Sequence, residues 1–246
     1  MRILGLDSSG MVASVAVVED DILVAEYTTN YKKTHSQTLL PMLEEVQEMI
    51  ELNLEQIDAI AIASGPGSFT GLRIGAATAK GLGLALQKPL VEVPTLEGLA
   101  YNLCGTSQLV CPLIDARRNQ VYTGIYAFEQ EEDHYRLQIV EPQCAVDVLR
   151  IIERLNQLNR EVVFLGDGVP VYRETLSGNL RVPYTFAPAP NNRQRAASVA
   201  ALGEVYYRQG KCVTAAEHQP EYLRKSQAER EAQEKKMQNQ DETASS

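Results

Sequence analysis

The stretch Gly65-Pro66-Gly67-Ser68-Phe69-Thr70-Gly71-Leu72-Arg73-Ile74-Gly75 constrains the fold of this chain more than any other, because it couples a buried strand to a helix through a loop that few side chains could occupy. Ahead of it, Ala59-Ile60-Ala61-Ile62-Ala63 has the length and unbroken apolarity of a strand covered on both faces, as in a parallel sheet. Behind it, Gly71, Gly75, Ala79 and Gly83 recur every fourth position and leave one nearly bare ridge along a helix. A glycine inside a helix costs about 1 kcal/mol relative to alanine. Small residues repeated along one face therefore mean that something packs very close, and the pattern fits equally the chain's own sheet or a helix of another subunit.

With 246 residues the chain can fill two modest domains that share an interface. No apolar run approaches the roughly 20 residues that cross a bilayer. Met1-Arg2 leads straight into the strand-like Ile3-Leu4-Gly5-Leu6 and then Asp7, without a signal-peptide pattern, so a cytoplasmic location is expected. Cys104, Cys111, Cys144 and Cys212 form no CxxC pair and read as reduced thiols rather than as a disulfide frame or zinc site. The net charge of −9 argues against the broad basic face of a free-standing nucleic-acid binder.

Residues Arg2 to Leu6, Ala13 to Val18 and Ile22 to Tyr27 read as a strand meander. From Ser36 to Leu52, Leu39, Met42, Leu43, Val46, Met49 and Ile50 fall at helical spacing opposite a glutamate-rich face, with Pro41 in the first turn. A second meander follows at Leu109 to Ile114, Val121 to Phe128 and Tyr135 to Val140, with the turn Asp115-Ala116-Arg117-Arg118-Asn119 inside it. Helices are expected near Val146 to Asn156 and Ala196 to Arg208, around a strand Val162 to Leu165 that ends in Gly166-Asp167-Gly168; Pro183 to Pro190 reads as a loop. The division is an N-terminal subdomain 1–104, a C-terminal subdomain 105–224 and a polar, disordered tail 225–246.

Two meander-plus-helix halves, with Asp7-Ser8-Ser9 after the first strand, resemble the actin-like ATPase and sugar-kinase superfamily. The fold expected is α/β, an actin-like (ribonuclease H-like) two-domain duplicated fold with mixed sheets flanked by helices. A more specific resemblance is to the bacterial TsaB (YeaZ) family of tRNA threonylcarbamoyladenosine biosynthesis proteins. It rests on Leu6-Asp7-Ser8-Ser9, on His35-Ser36 leading to Leu40-Pro41, and on the whole Gly65 to Gly75 stretch. Asp115-Ala116-Arg117-Arg118 with Val121-Tyr122, and Tyr222-Leu223-Arg224 with Ala228-Glu229, complete it.

That resemblance implies a non-catalytic subunit of the machinery that attaches threonylcarbamoyl to the adenosine beside the anticodon, acting by binding and activating TsaD. It implies recruitment of the ATPase TsaE, a homodimer when TsaD is absent, and contact with tRNA only through the complex. It places the partner or dimer interface on Leu39, Met42, Leu43, Val46, Ile50, Phe69, Gly71, Leu72, Gly75, Ala79 and Gly83, so that Gly75→Leu breaks the complex and leaves the chain folded. Asp7, Ser8, Ser9, Asp115, Arg117 and Arg118 correspond to a vestigial phosphate site, the arginines standing where a kinase has glycines. The catalytic relative TsaD carries a His-x-x-x-His metal pair; here Thr95 and Leu99 occupy those positions, so no metal is expected and a metallopeptidase is disfavoured. No cofactor is required by this chain itself, and nucleotide is expected only in the complex. The rival reading is an ATP-dependent phosphotransferase with Asp7 as its magnesium-linked carboxylate.

Overall fold

A computed structural model of the chain describes residues 1–31, 34–132 and 134–224. The expected tail 225–246 lies outside them. The first half opens with β1 (Arg2–Asp7), β2 (Ala13–Glu19) and β3 (Ile22–Thr29), an antiparallel meander. Helix α1 (Leu39–Met49) follows a 3-10 turn at His35–Gln37, then come β4 (Ala59–Gly65), α2 (Phe69–Leu86), β5 (Leu90–Pro94) and α3 (Thr95–Tyr101). The second half repeats the order: β6 (Leu109–Asp115), β7 (Gln120–Gln130), β8 (Tyr135–Asp147), α4 (Val148–Leu158), β9 (Val162–Leu165), α5 (Gly168–Asn179), β10 (Tyr184–Phe186) and α6 (Ala196–Arg208).

The sheets run β3-β2-β1-β4-β5 and β8-β7-β6-β9-β10. In each, the first strand pairs antiparallel with the meander on one side and parallel with the crossover strand on the other. This is the duplicated mixed-sheet plan expected from the sequence. Crossover helices α1 and α2 cover one face of the first sheet, where Leu39, Met42, Leu43 and Val46 meet Leu4, Leu6, Val15, Ile60 and Ile62. Helices α4 and α5 do the same for the second sheet.

The closing helices are exchanged. Helix α3, from the first half, buries Leu96, Leu99 and Ala100 against Val110, Tyr126 and Val163 of the second sheet. Helix α6, from the second half, buries Val199, Ala200 and Leu202 against Ile3, Ala61 and Val93 of the first. The two touch each other between the sheets and give five layers, α/β/α/β/α. Two expectations are corrected here. Gly168 onward is a helix of its own, with Pro170 in its first turn where no amide partner is needed. The proline-rich stretch contains a short strand, Tyr184–Phe186, paired parallel with β9.

Candidate functional site: a cleft closed by the chain itself

Strands β1, β4, β6 and β9 all end on one side of the molecule, and a cleft of about 390 Å³ lies between the two halves beyond those ends. Parallel strands of α/β folds direct their ligands to such places. The cleft gathers residues from both phosphate-like turns and both glycine loops: Ser9, Gly67, Ser68, Asp115, Arg117 and Asp167.

In the first turn both serine hydroxyls and one oxygen of the Asp7 carboxylate are committed internally. Asp7, Ser8 and Ser9 are all buried. Ser9 donates its amide (2.8 Å) and its hydroxyl (2.7 Å) to Asp7 Oδ1, and Ser8 Oγ donates to the Gly71 carbonyl at 2.9 Å. Ser68 caps α2 through its hydroxyl and donates its amide to the Ser9 carbonyl at 2.7 Å. A Cβ on Gly67 would overlap the Ser9 carbonyl oxygen, one on Gly71 the Ser8 carbonyl oxygen, and one on Gly75 the Ser8 hydroxyl. The bare ridge is thus the lid of the Asp7 to Ser9 turn. The space in which a phosphate would meet those serines holds the first two turns of α2.

Asp7 is left as a buried carboxylate whose pKa is pushed up to about 6, chiefly by burial, with the Ser9 hydrogen bonds and nearby His35 opposing. A folded-state pKa raised from 3.8 makes stability fall as pH climbs from about 4 to about 6, and it stays lower above that. Asp7→Asn keeps an acceptor for both Ser9 donors. It is expected to match the parent near pH 4 and to exceed it at pH 8 by about 2 to 3 kcal/mol, read by denaturant unfolding at the two pH values.

The second turn is bulkier. Arg117, Arg118 and Asn119 all take positive φ (64°, 56° and 58°) at the tip of the β6-β7 hairpin, and Arg117 folds back on Asp115 at 3.2 Å. The Asp115 amide donates to Asp167 Oδ1 at 3.1 Å, and burial raises the Asp167 pKa. Gly166-Asp167-Gly168 is more than a turn. It is the counterpart of Gly65-Pro66-Gly67, since both follow the crossover strand, and a Cβ on Gly166 would overlap the Leu113 carbonyl oxygen of β6.

A segment that the sequence reading did not place spans the cleft. Residues 213–224 run back along β5, with Val213 and Leu90 exchanging two 2.9 Å hydrogen bonds. The Glu221 amide then donates to Ser64 at 2.7 Å, Tyr222 packs on Phe69 at 4.7 Å, and Arg224 Nη1 donates to the Ala116 carbonyl at 2.6 Å. The motif Tyr222-Leu223-Arg224 therefore straps the α2 end of one half to the hairpin of the other. In the sequence it stands only as one of the motifs that carry the family resemblance.

At the positions of the metal pair, Thr95 Oγ1 accepts the Gly65 amide at 3.0 Å and Leu99 sits in the core. Among the described residues no three His, Cys, Asp or Glu side chains converge as metal ligands. Glu97, beside them, is buried, accepts a hydrogen bond from the Tyr206 hydroxyl, and has its pKa raised by burial. Among the described residues no helix is long and apolar enough to cross a membrane.

Residues 23–232 match the family model for TsaD, tRNA N6-adenosine threonylcarbamoyltransferase. The chain is 32% identical over 229 residues to the Bacillus subtilis tRNA threonylcarbamoyladenosine biosynthesis protein TsaB, covering 93% of this chain and 96% of that one. It is 30% identical over 234 residues to TsaB of Escherichia coli, again covering 93% and 96%. The chain belongs to the TsaB (YeaZ) family. The solved structure of YeaZ from Pseudomonas aeruginosa superposes with a TM-score of 0.73 at 28% identity, over 90% of this chain and 99% of that one.

The TsaB-family resemblance assigned contact with a partner to residues that the fold turns inward. Leu39, Met42, Leu43 and Val46 are buried in the first core, and Ile50 packs against it half-buried. Leu72 and Ala79 are buried, and a Cβ on Gly83 would lie 3.1 Å from Ala215 Cβ and Leu90 Cδ2. Phe69, half-buried, lies between Tyr222 and Arg73, whose guanidinium stands 4.0 Å from the ring centroid. The ridge formed by Gly71, Gly75, Ala79 and Gly83 therefore packs inside the chain. Gly75→Leu would drive a side chain into Ser8 and Ile62, so the expectation that this variant stays folded is corrected.

The outward faces of the same helices carry a different set. On α2, Arg73, Ala77, Gly81 and Leu84 are exposed at helical spacing, and a Cβ on Gly81 would meet nothing within 4 Å. Helix α1, in contact with α2, exposes Leu40 and Met49.

Proposed function

We propose that this chain serves formation of threonylcarbamoyladenosine beside the tRNA anticodon as a binding subunit, docking on TsaD and activating it without catalysing a step itself. The observation that carries this reading is the double use of α2. Its inner face fills the Asp7 to Ser9 turn, so the hydroxyls that a phosphotransferase would offer to phosphate are bonded within the chain. Its outer face offers a shallow strip, Ala77 and Gly81 flanked by Leu84, on which a partner helix can approach closely.

In this reading the interface moves from the inner residues of α1 and α2 to their outer ones, and the same strip pairs two copies of the chain when TsaD is absent. TsaE joins through the TsaD complex, tRNA is contacted by the complex rather than by this acidic chain, and the work is done in the cytoplasm. Nucleotide enters only with the partners. Asp7, Ser8 and Ser9 then brace the first half, and Asp115 and Arg117 the second, through bonds made within each half, while Arg118 stands at the hairpin tip. Titration of purified TsaD with the chain in a calorimeter tests the reading. Saturable binding with a 1:1 subunit ratio is expected, and no heat of association at micromolar concentrations would contradict it.

A further inference from the structure

Three of the four sheet edges among the described residues are guarded against pairing with another strand. The β5 edge is covered by residues 213–219 through the Val213 pairing and the 2.7 Å contact of His218 with Glu92. The β8 edge carries Arg136, Glu141 and Pro142, and β10 is three residues long. Strand β3 has eight residues and lacks such guards: Ile22 (66%), Leu23 (45%), Val24 (41%) and Tyr27 (44%) are exposed. Its one charged residue, Glu26, is turned away to Arg195, whose Nε donates to it at 3.0 Å. A long apolar edge of this kind is a template for a further strand.

A second observation lies beside it. Between β3 and α1 runs a groove of about 320 Å³, lined by Tyr27, Thr29 and Tyr31 on one side and Pro41, Met42 and Glu45 on the other. An open strand edge flanking a groove floored by a helix is the geometry in which an extended peptide adds to a sheet, with alternate side chains entering the groove. The groove mixes the rings of Tyr27 and Tyr31 and the apolar Pro41 and Met42 with Thr29, Gln37 and Thr38, and is acidic at its α1 rim, where Glu44, Glu45 and Glu48 are exposed.

We propose that β3 and this groove form a docking site for an extended segment of a partner protein that alternates apolar and basic residues. Charge decides the occupant. A second copy of this chain would bring β3 itself, Ile-Leu-Val-Ala-Glu-Tyr-Thr-Thr, which has no cation for Glu45. The site is separate from the outer strip of α2 and does not depend on it.

The test uses the full chain and a fluorescein-labelled octapeptide of alternating valine and lysine, read by anisotropy. Saturable binding is expected, at least tenfold weaker for the Glu45→Lys chain and for Tyr31→Ala, both substitutions being on exposed side chains. A peptide with proline at alternate positions, which keeps the charge and loses the strand hydrogen bonds, should fail to bind. Equal binding of the proline peptide, or indifference to Glu45→Lys, would reduce the effect to non-specific attraction and overturn the proposal. So would a dimer of the chain, seen by sedimentation, that Tyr31→Ala and Glu45→Lys dissociate, since the edge would then belong to a second copy.

Discussion

Gly71→Ala will destabilise the chain by about 3 to 5 kcal/mol, while Gly81→Ala, ten residues along the same helix, will stabilise it by up to about 1 kcal/mol. The added methyl at position 71 meets a backbone carbonyl, that of Ser8, held in place by β1 and by the Asp7 to Ser9 hydrogen bonds, so neither side can yield cheaply. At position 81 the methyl enters open space and removes the entropic handicap of glycine in a helix. Thermal melts of the two variants should move in opposite directions, Gly71→Ala downward by about 10 °C or more for a chain of this size. A Gly71→Ala variant that melts with the parent would mean that the ridge does not seat on the Ser8 turn.

The second large effect is on association. Leu84→Glu, and separately Gly81→Leu, should lower the affinity for TsaD by a hundredfold or more with melting temperature and circular dichroism unchanged. Both positions face solvent, so neither has a core contact to lose. A charge buried at the centre of a helix pair, or a leucine where the helices must approach closely, costs about 2 to 4 kcal/mol of binding. Undiminished co-purification of either variant with TsaD would remove the interface from this strip. Gly75→Leu cannot serve the same purpose, since it damages the fold and the interface together.

Much of the architecture could be read from residues alone, for local reasons. The uninterrupted Ala59 to Ala63 run announced a doubly covered strand, and it is the inner strand β4. The spacing of Leu39, Met42, Leu43 and Val46 announced the helix that covers it. What stayed hidden depends on partners distant in sequence. A small-residue ridge has the same appearance whether it meets a serine turn 63 residues away or another molecule, and only the Ser8 to Gly71 hydrogen bond decides between them. The exchange of α3 and α6 between the sheets is equally invisible, because each helix is apolar on a face that would suit either sheet. Helix α5 escaped notice for a local reason, since its periodicity is interrupted by Pro170 and Gly178. Strand β10 is only three residues among prolines, held by its pairing to β9.

The candidate site shows the same division. Asp7, Ser8 and Ser9 were legible as chemically competent groups, and Asp115 and Arg117 as a second turn. In the folded chain they lie against neighbours that no spacing rule connects to them: Gly67, Gly71 and Gly75 above the first turn, and the strap of Glu221 to Arg224 across the mouth.

The most direct measurement is formation of threonylcarbamoyladenosine on unmodified tRNA by TsaD and TsaE, supplied with ATP and a threonylcarbamoyl donor, run without the chain, with the parent chain and with Asp7→Asn. A binding subunit predicts no product without the chain and equal rates with parent and variant. A variant that still binds TsaD and yields little product would contradict it, and would give Asp7 a chemical role.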